Sequence, residues 1–208
     1  MKWDLSKVGI KKDIQYECIA TTVSEDGVKN AEVNSFRFLG DDRVLCSILE
    51  GSKTLENIKN TNEYVANITQ DSLVFTYATL DCLGDEYFSD ETDIAIIKNT
   101  PAYIIVDVEN IEKKMSSDGP DNENKNIYFI TGRISQFKVN DKNARAFNRG
   151  LSALIEGLVN FSRYKLVDDD KRKEYMSWLD ENQRVINNVS DEKTKNAMAV
   201  LKAEYDKN

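Results

Sequence analysis

The most informative absence in this chain of 208 residues is histidine, which does not occur at all. The common serine and cysteine hydrolases rely on an imidazole as general base, and the usual zinc helix of metalloproteases needs two histidines. These classes of enzyme are therefore excluded. The few cysteines, Cys18, Cys46 and Cys82, are odd in number and far apart, so we expect buried free thiols.

Other familiar patterns are missing as well. Neither the Gly-x-Gly-x-x-Gly fingerprint nor the P-loop pattern occurs. Nowhere do about 18 apolar residues follow one another, as a membrane span requires, and the first residues lack the apolar segment of a secretion signal. We expect a cytoplasmic protein without a membrane partner. The aspartates at 168–170 precede a helical pattern and are interpreted as its cap, so no metal site is predicted.

Positive charge is scarce. Lysine and arginine total 28 against 36 aspartates and glutamates, which gives a formal charge of −8. Such a chain repels a phosphate backbone, and its basic pairs are too short and scattered to follow a groove. Nucleic acid is therefore not an expected partner, whereas a local site for one small anion stays open.

What is abundant up to about residue 140 is a period-two alternation of apolar and polar residues, typical of half-buried strands. Six segments carry it, at residues 15–23, 30–38, 43–49, 63–69, 102–113 and 127–139. Asp26-Gly27 predicts a hairpin between the first two, and the polar residues 116–126 predict a mobile tip between the last two. The Greek-key-like spacing favours an antiparallel barrel, because closure removes exposed strand edges.

From Asp141 the period becomes that of a helix. Phe147, Leu151, Leu154, Leu158 and Phe161 predict one long helix that begins there, and two further amphipathic runs with short links follow. Two shorter helical pieces, at residues 52–60 and 71–80, lie between the strands. The prediction is an α+β fold with a barrel at residues 1–140 and a helical region at 141–208, packed on the barrel or on a dimer.

One junction in the barrel region has the composition of an anion site. The strand-like run from Arg43 breaks at Gly51, and a helix begins through Ser52, Lys53 and Thr54. The N–H groups of a helix's first turn lie at its positive end, and two hydroxyl groups and an ammonium group stand beside them, so a phosphate would fit. The alternative is that Ser52 only caps the helix. We refer to residues 51–54 as the anion site.

Four places carry a resemblance to a known family: Asp26-Gly27 with Asn30-Ala31, residues 46–57 with Gly-Ser-x-Thr, residues 64–80, and residues 149–163. In these places, and in the order of its elements, the chain resembles the FMN-binding split-barrel proteins, which are flavin reductase-like. Within them it resembles a prokaryotic family of unknown function with a helical C-terminal region. The resemblance covers nearly the whole chain and implies a homodimer with FMN in a groove near the subunit interface.

The resemblance also implies which residues contact FMN. By position, Ser52, Lys53 and Thr54 would hold the phosphate, and Asn57 would add an amide contact. Residues of the second strand would border the ring. Ser47 takes a position that is commonly arginine in such relatives. The expected cofactor-binding residues are Asn30, Ala31, Asn34, Ser35, Ser47, Ser52, Lys53, Thr54 and Asn57, and no catalytic residue is identified.

Two functions remain open at this point. The first is a flavoprotein, such as a flavin-dependent reductase, in which a nicotinamide or deazaflavin donor passes hydride to the flavin. The cofactor performs the electron chemistry, so a chain without histidine is compatible with it. The second is a noncatalytic binding or assembly protein that has lost the cofactor. Ser47 in place of arginine and the negative charge of Glu32 favour this alternative.

Overall fold

The computed structural model describes residues 2–90, 92–115 and 126–207, and its first part is a closed barrel of six strands in the order β1-β2-β3-β6-β5-β4. All neighbouring strands are antiparallel. The strands are β1 (Gln15–Val23), β2 (Lys29–Phe38), β3 (Arg43–Leu49), β4 (Glu63–Ile68), β5 (Ala102–Met115) and β6 (Asn126–Val139). The predicted α+β fold with its six-stranded antiparallel barrel is therefore confirmed. Residues 116–125 of the mobile tip predicted at 116–126 lie outside the described residues, and Asn126 begins β6.

Alternation along each strand decides which side chains fill the barrel. On β2, Phe36 and Phe38 belong to the interior cluster, whereas Ala31 and Val33 pack outside the barrel. Successive side chains of a strand point to opposite faces, so Asn34 lies on the inner side and Ser35 on the outer side of the same strand. The expected ring-bordering residues of β2 are thus divided between two faces.

Among the described residues, this part also contains two short α-helices, besides single 3-10 turns at Leu5–Val8 and Asp85–Tyr87. Helix α1 (Lys53–Thr61) places Leu55 and Ile58 in the barrel interior cluster and so closes one end of the barrel. Helix α2 (Ser72–Thr79) lies on the outer face, where its Val74 and Ala78 share a cluster with Ala31. Both helices begin directly after a capping side chain, Ser52 for α1 and Asp71 for α2.

The second part, described over residues 148–207, forms its own compact unit with the three α-helices α3 (Arg149–Arg163), α4 (Asp169–Val189) and α5 (Glu192–Tyr205). Its core is formed by Leu154, Leu179, Ile186, Met198, Leu201 and Tyr205. At Gly157 a Cβ atom would lie 3.0 Å from Leu201 of α5, so glycine permits the close approach of that helix. In the part of the chain that the structure describes, no helix is long and apolar enough to cross a membrane.

The helix that the sequence predicts from Asp141 begins only at Arg149, and this prediction was wrong by two turns. Asn148 is the reason: its backbone is extended, and its side-chain oxygen accepts a hydrogen bond from the Gly150 amide at 3.0 Å, which caps the helix. Phe147, expected on the helix face, lies beside β1 instead, and its carbonyl accepts a 2.9 Å hydrogen bond from the Glu17 amide.

The hydroxyl group of Tyr64 lies inside the barrel. Tyr64 of β4 is 1% exposed, and among the described residues its hydroxyl has no hydrogen-bond partner. Burial raises the pKa of this hydroxyl well above its ordinary value. Because an unpaired buried hydroxyl costs about 1–3 kcal/mol, we expect Tyr64→Phe to raise the free energy of unfolding by about 1 kcal/mol, measured by urea denaturation.

The control for this prediction is Tyr16→Phe. The Tyr16 hydroxyl donates to the Gly9 carbonyl at 3.1 Å and accepts from the Lys11 amide at 2.9 Å, so its loss should destabilise the protein by about 1 kcal/mol. If both variants lose stability alike, the Tyr64 hydroxyl is held by an interior water and the prediction is wrong.

Candidate functional site

The anion site begins with a backbone turn that favours glycine. Gly51 has φ +86°, which lets the chain leave β3 and enter α1 without strain. The Ser52 hydroxyl then accepts from the Leu55 amide at 3.1 Å, and the Ser52 carbonyl accepts from the Glu56 amide at 3.2 Å. Ser52 therefore caps the helix, but its own hydroxyl hydrogen is not used in that bond. The amides of Lys53 and Thr54 in the first turn have no acceptor within the helix.

Two buried side chains fasten α1 to the barrel. The Thr54 hydroxyl accepts a 2.8 Å hydrogen bond from the Asn30 side chain, and the Asn57 side chain donates a 3.0 Å bond to the Thr22 hydroxyl. Thr54 and Asn57 are both buried. These contacts fix the start of α1 against the ends of β1 and β2, so the first-turn amides have a defined position.

Lys53 lies at the surface of the anion site. Its ammonium group forms an ion pair with Asp81, and the two side chains are 65% and 60% exposed. An exposed pair of this kind contributes little to stability, so the ammonium group can exchange its carboxylate partner for a bound anion at small cost.

The four expected ring-bordering residues of β2 have four different surroundings. Asn30 meets Thr54 at the barrel end, Ala31 is buried under α2, and Asn34 is buried with its side chain 3.4 Å from the Glu32 carbonyl. Ser35 and Ser47 are brought together, because the register of β2 and β3 places them opposite each other.

The pairing of β2 leaves one stretch of backbone open. All of residues 29–37 pair with β1, but β3 pairs with β2 only from Ser35 to Phe38. Among the described strands, residues 29–34 of β2 therefore have a partner on one side only. In this stretch, the N–H and C=O groups of every second residue point away from β1. Where such backbone groups are buried or half-buried, they require another hydrogen-bond partner.

Sequence reasoning missed a groove on the outer face of the barrel. It has a volume of about 540 Å³ and is lined by Glu17, Val33, Gln70, Ser72, Phe75 and Phe147. We refer to it as the aromatic groove. The rings of Phe75 and Phe147 meet edge to face, with centroids 6.3 Å apart, and the Glu17 carboxylate accepts a 3.0 Å hydrogen bond from the Ser35 hydroxyl. The only sequence feature that could have indicated this groove was the alternation that puts Glu17 and Val33 on the outer face of two neighbouring strands.

Two of the three thiols, those of Cys18 and Cys46, are unsuited to nucleophilic chemistry. Cys18 and Cys46 are buried inside the barrel, and burial raises the pKa of each thiol well above its ordinary value. The expectation of buried free thiols is confirmed for these two. Cys82 differs, since it is exposed just after α2.

Comparisons with known proteins agree with this architecture. Residues 16–141 match a family described as "protein of unknown function (DUF447) N-terminal domain", and residues 148–203 match "protein of unknown function (DUF447)". Among solved structures, the chain is similar to an FMN-bound protein of Methanosarcina mazei assigned to DUF447. The two are 22% identical over 96% of this chain and 99% of that one, with a TM-score of 0.54, which establishes a shared fold.

The chain is also similar to two flavin reductases. The flavin reductase of styrene monooxygenase from Pseudomonas putida S12 is 10% identical over 61% of this chain and 82% of that one, with a TM-score of 0.47. The flavin reductase PheA2 is 20% identical over 62% of this chain and 82% of that one, with a TM-score of 0.46.

Proposed function

The chain belongs to the DUF447 family of proteins of unknown function, and from this membership we propose that it is an FMN-binding flavoprotein whose anion site holds the FMN phosphate. The observation that carries the proposal is the geometry at the start of α1. A member of the family is described as FMN-bound, which gives further support.

The donors of the anion site fit a phosphate group. A phosphate needs N–H and O–H donors and positive charge, and the first-turn amides, the Ser52 hydroxyl and the Lys53 ammonium group supply them. Ser52 is half-buried and Lys53 exposed, so both can be reached from solvent. Thr54 and Asn57, with buried side chains, would act by holding the first turn in place.

We propose that the rest of FMN follows the open edge of β2. Two contacts support this path: Thr54 is hydrogen-bonded to Asn30 at the beginning of the edge, and Ser35 lies opposite Ser47 where the edge ends. Open backbone groups of Ala31 and its neighbours up to Asn34 are suitable partners for the polar atoms of a flavin. FMN, once bound, supplies the electron chemistry, and the chain supplies binding and orientation.

We further propose a flavin-dependent oxidoreductase that works as a homodimer. Large apolar side chains stand exposed on the barrel unit, among them Leu49 at 54% and Leu73 at 59%. A second copy of the chain packed on the barrel unit would remove these side chains from water, and measuring the oligomeric state in solution tests this part of the proposal.

The proposal is tested by titrating the purified protein with FMN and with riboflavin, following flavin fluorescence. We expect saturable FMN binding, and riboflavin binding that is about 10- to 100-fold weaker because the charge-assisted phosphate bonds contribute about 1.5–3 kcal/mol. Oxidation of NADH or NADPH with FMN present then tests the reductase activity.

Two outcomes would contradict the proposal. Absence of FMN binding up to millimolar concentration would favour the noncatalytic alternative, in which Ser47 and the Lys53–Asp81 pair leave too little positive charge for a phosphate. Equal affinities for FMN and riboflavin would show that the phosphate makes no contact with the protein.

A further inference from the structure

A carboxylate lies beside the anion site. Asp81 follows α2 in the chain, and its carboxylate forms an ion pair with the Lys53 ammonium group. The two residues are 28 positions apart, so the end of α2 has to lie near the start of α1 for them to meet. A negative charge next to a phosphate site opposes phosphate binding, and this contact therefore has a different role from the donors around it.

The backbone at Asp81 has a conformation for which glycine is the usual residue. The Cys82 amide donates to the Tyr77 carbonyl at 3.0 Å, which is the hydrogen bond of a Schellman motif at the end of α2. In this motif the residue before Cys82 is left-handed, and Asp81 has φ +53°. Aspartate adopts this conformation more readily than most residues, but less favourably than glycine. The side chain that glycine would lack is the one that reaches Lys53.

The ion pair and a bound phosphate cannot both have full use of the same ammonium group. An arriving phosphate has to separate the pair, and the carboxylate that it releases remains close to a ligand of the same sign of charge. Both groups are well exposed, so each of these effects is modest. Together they correspond to about 3- to 10-fold in the affinity for an anion.

We propose that Asp81 regulates the anion site by competing with the FMN phosphate for the Lys53 ammonium group. The inference rests on the proposed function, since it requires the phosphate to bind beside Lys53. The competition lowers the affinity for every anion by a similar factor. A small anion such as inorganic phosphate, which contacts the anion site alone, then fills the site poorly, whereas FMN is still held by its remaining contacts.

The test is Asp81→Asn, titrated with FMN and with riboflavin. Asparagine also tolerates the left-handed conformation, so the turn after α2 should form. We expect FMN to bind about 3- to 10-fold more tightly than it binds the natural protein, while riboflavin, which has no phosphate, keeps its dissociation constant. Asp85→Asn is the matched control: it removes another exposed carboxylate from the same segment, and it should leave both constants unchanged.

Salt dependence gives a readout that a purely structural role would not change. In the natural protein the charges of Lys53 and Asp81 offset each other, so the FMN affinity should vary little between about 50 and 500 mM sodium chloride. In Asp81→Asn the ammonium charge has no such counterpart, and the FMN affinity should fall by about 3-fold or more over the same range.

Asp81→Gly is the second variant. It removes the carboxylate and places the favoured residue at the turn, so it should show the same gain in FMN affinity together with a higher midpoint of urea denaturation. It remains informative if Asp81→Asn fails to fold.

The outcomes separate this inference from the proposed function. If the natural protein prefers FMN to riboflavin but both Asp81 variants bind FMN no more tightly, Asp81 does not compete with the phosphate, and the flavoprotein proposal stands. A gain that riboflavin or Asp85→Asn shares would also overturn the inference. If the natural protein and the Asp81 variants all bind neither ligand, or bind both equally, the phosphate makes no contact at Lys53 and both proposals fail.

Discussion

Replacing Ser52 by aspartate is expected to lower the affinity for FMN by at least about 100-fold while the protein stays folded. Aspartate caps a helix as well as serine does, so the start of α1 should form normally. The variant loses the hydroxyl donor, worth about 1.5–3 kcal/mol toward a charged group, and places a carboxylate beside the phosphate. Two like charges at about 4 Å repel by roughly 1–4 kcal/mol between water and a protein surface.

The matched control is Ser52→Asn, which has nearly the same shape as the aspartate variant and no charge. Asparagine is also a good cap, and its amide can donate to a phosphate, so its FMN affinity should fall by no more than about 10-fold. Fluorescence titration gives the affinities, and urea denaturation shows whether stability is retained. Should the two variants bind FMN equally well, the phosphate does not lie at the start of α1.

Replacing Asn67 by leucine is expected to lower the free energy of unfolding by about 3–5 kcal/mol. Asn67 of β4 is fully buried and makes three hydrogen bonds: it donates to the Ile19 carbonyl at 3.2 Å and to the Thr21 hydroxyl at 2.8 Å, and it accepts from the Ile97 amide at 3.1 Å. Leucine fills the space but leaves these partners unsatisfied, each at about 1–3 kcal/mol. Urea denaturation monitored by tryptophan fluorescence measures the change.

Thr21→Val is the companion variant. The Thr21 hydroxyl accepts from Asn67 and donates to the Ala95 carbonyl, so valine of similar shape removes part of the same network. The double variant should be less destabilised than the sum of the two single changes, because the residues share one hydrogen bond. A loss below about 1 kcal/mol for Asn67→Leu, or full additivity, would mean that the network does not hold the segment around Ile97 to the barrel.

The sequence determined the strands and the local form of the anion site. Period-two alternation locates the six strands, because successive side chains of a strand point to opposite faces of the barrel wall. The Asp26-Gly27 turn forms as predicted, with Gly27 at φ +80°. The start of α1 is equally local: Gly51 and Ser52 specify the turn and the cap within a few consecutive residues, so no distant contact is needed to predict them.

The start of α3 was missed because apolar spacing and capping compete there. Phe147 continues the helical spacing of apolar residues, but the helix begins only after the Asn148 cap. Phe147 therefore lies outside the helix and pairs with Glu17 at the barrel surface. Apolar period alone cannot detect this, since a side chain that packs against another element has the same apolar character as one on a helix face.

Only the tertiary structure decided which side chains from distant parts of the chain come into contact. Thr54 accepts a hydrogen bond from Asn30, and α2 covers Ala31. The ring of Phe75 contacts the ring of Phe147, which is distant in the chain. Local pattern fixes the face on which a residue lies along its own strand or helix. Which faces come together depends on strand register, on where β3 leaves β2 and on how α2 docks, and these follow from closing the barrel as a whole.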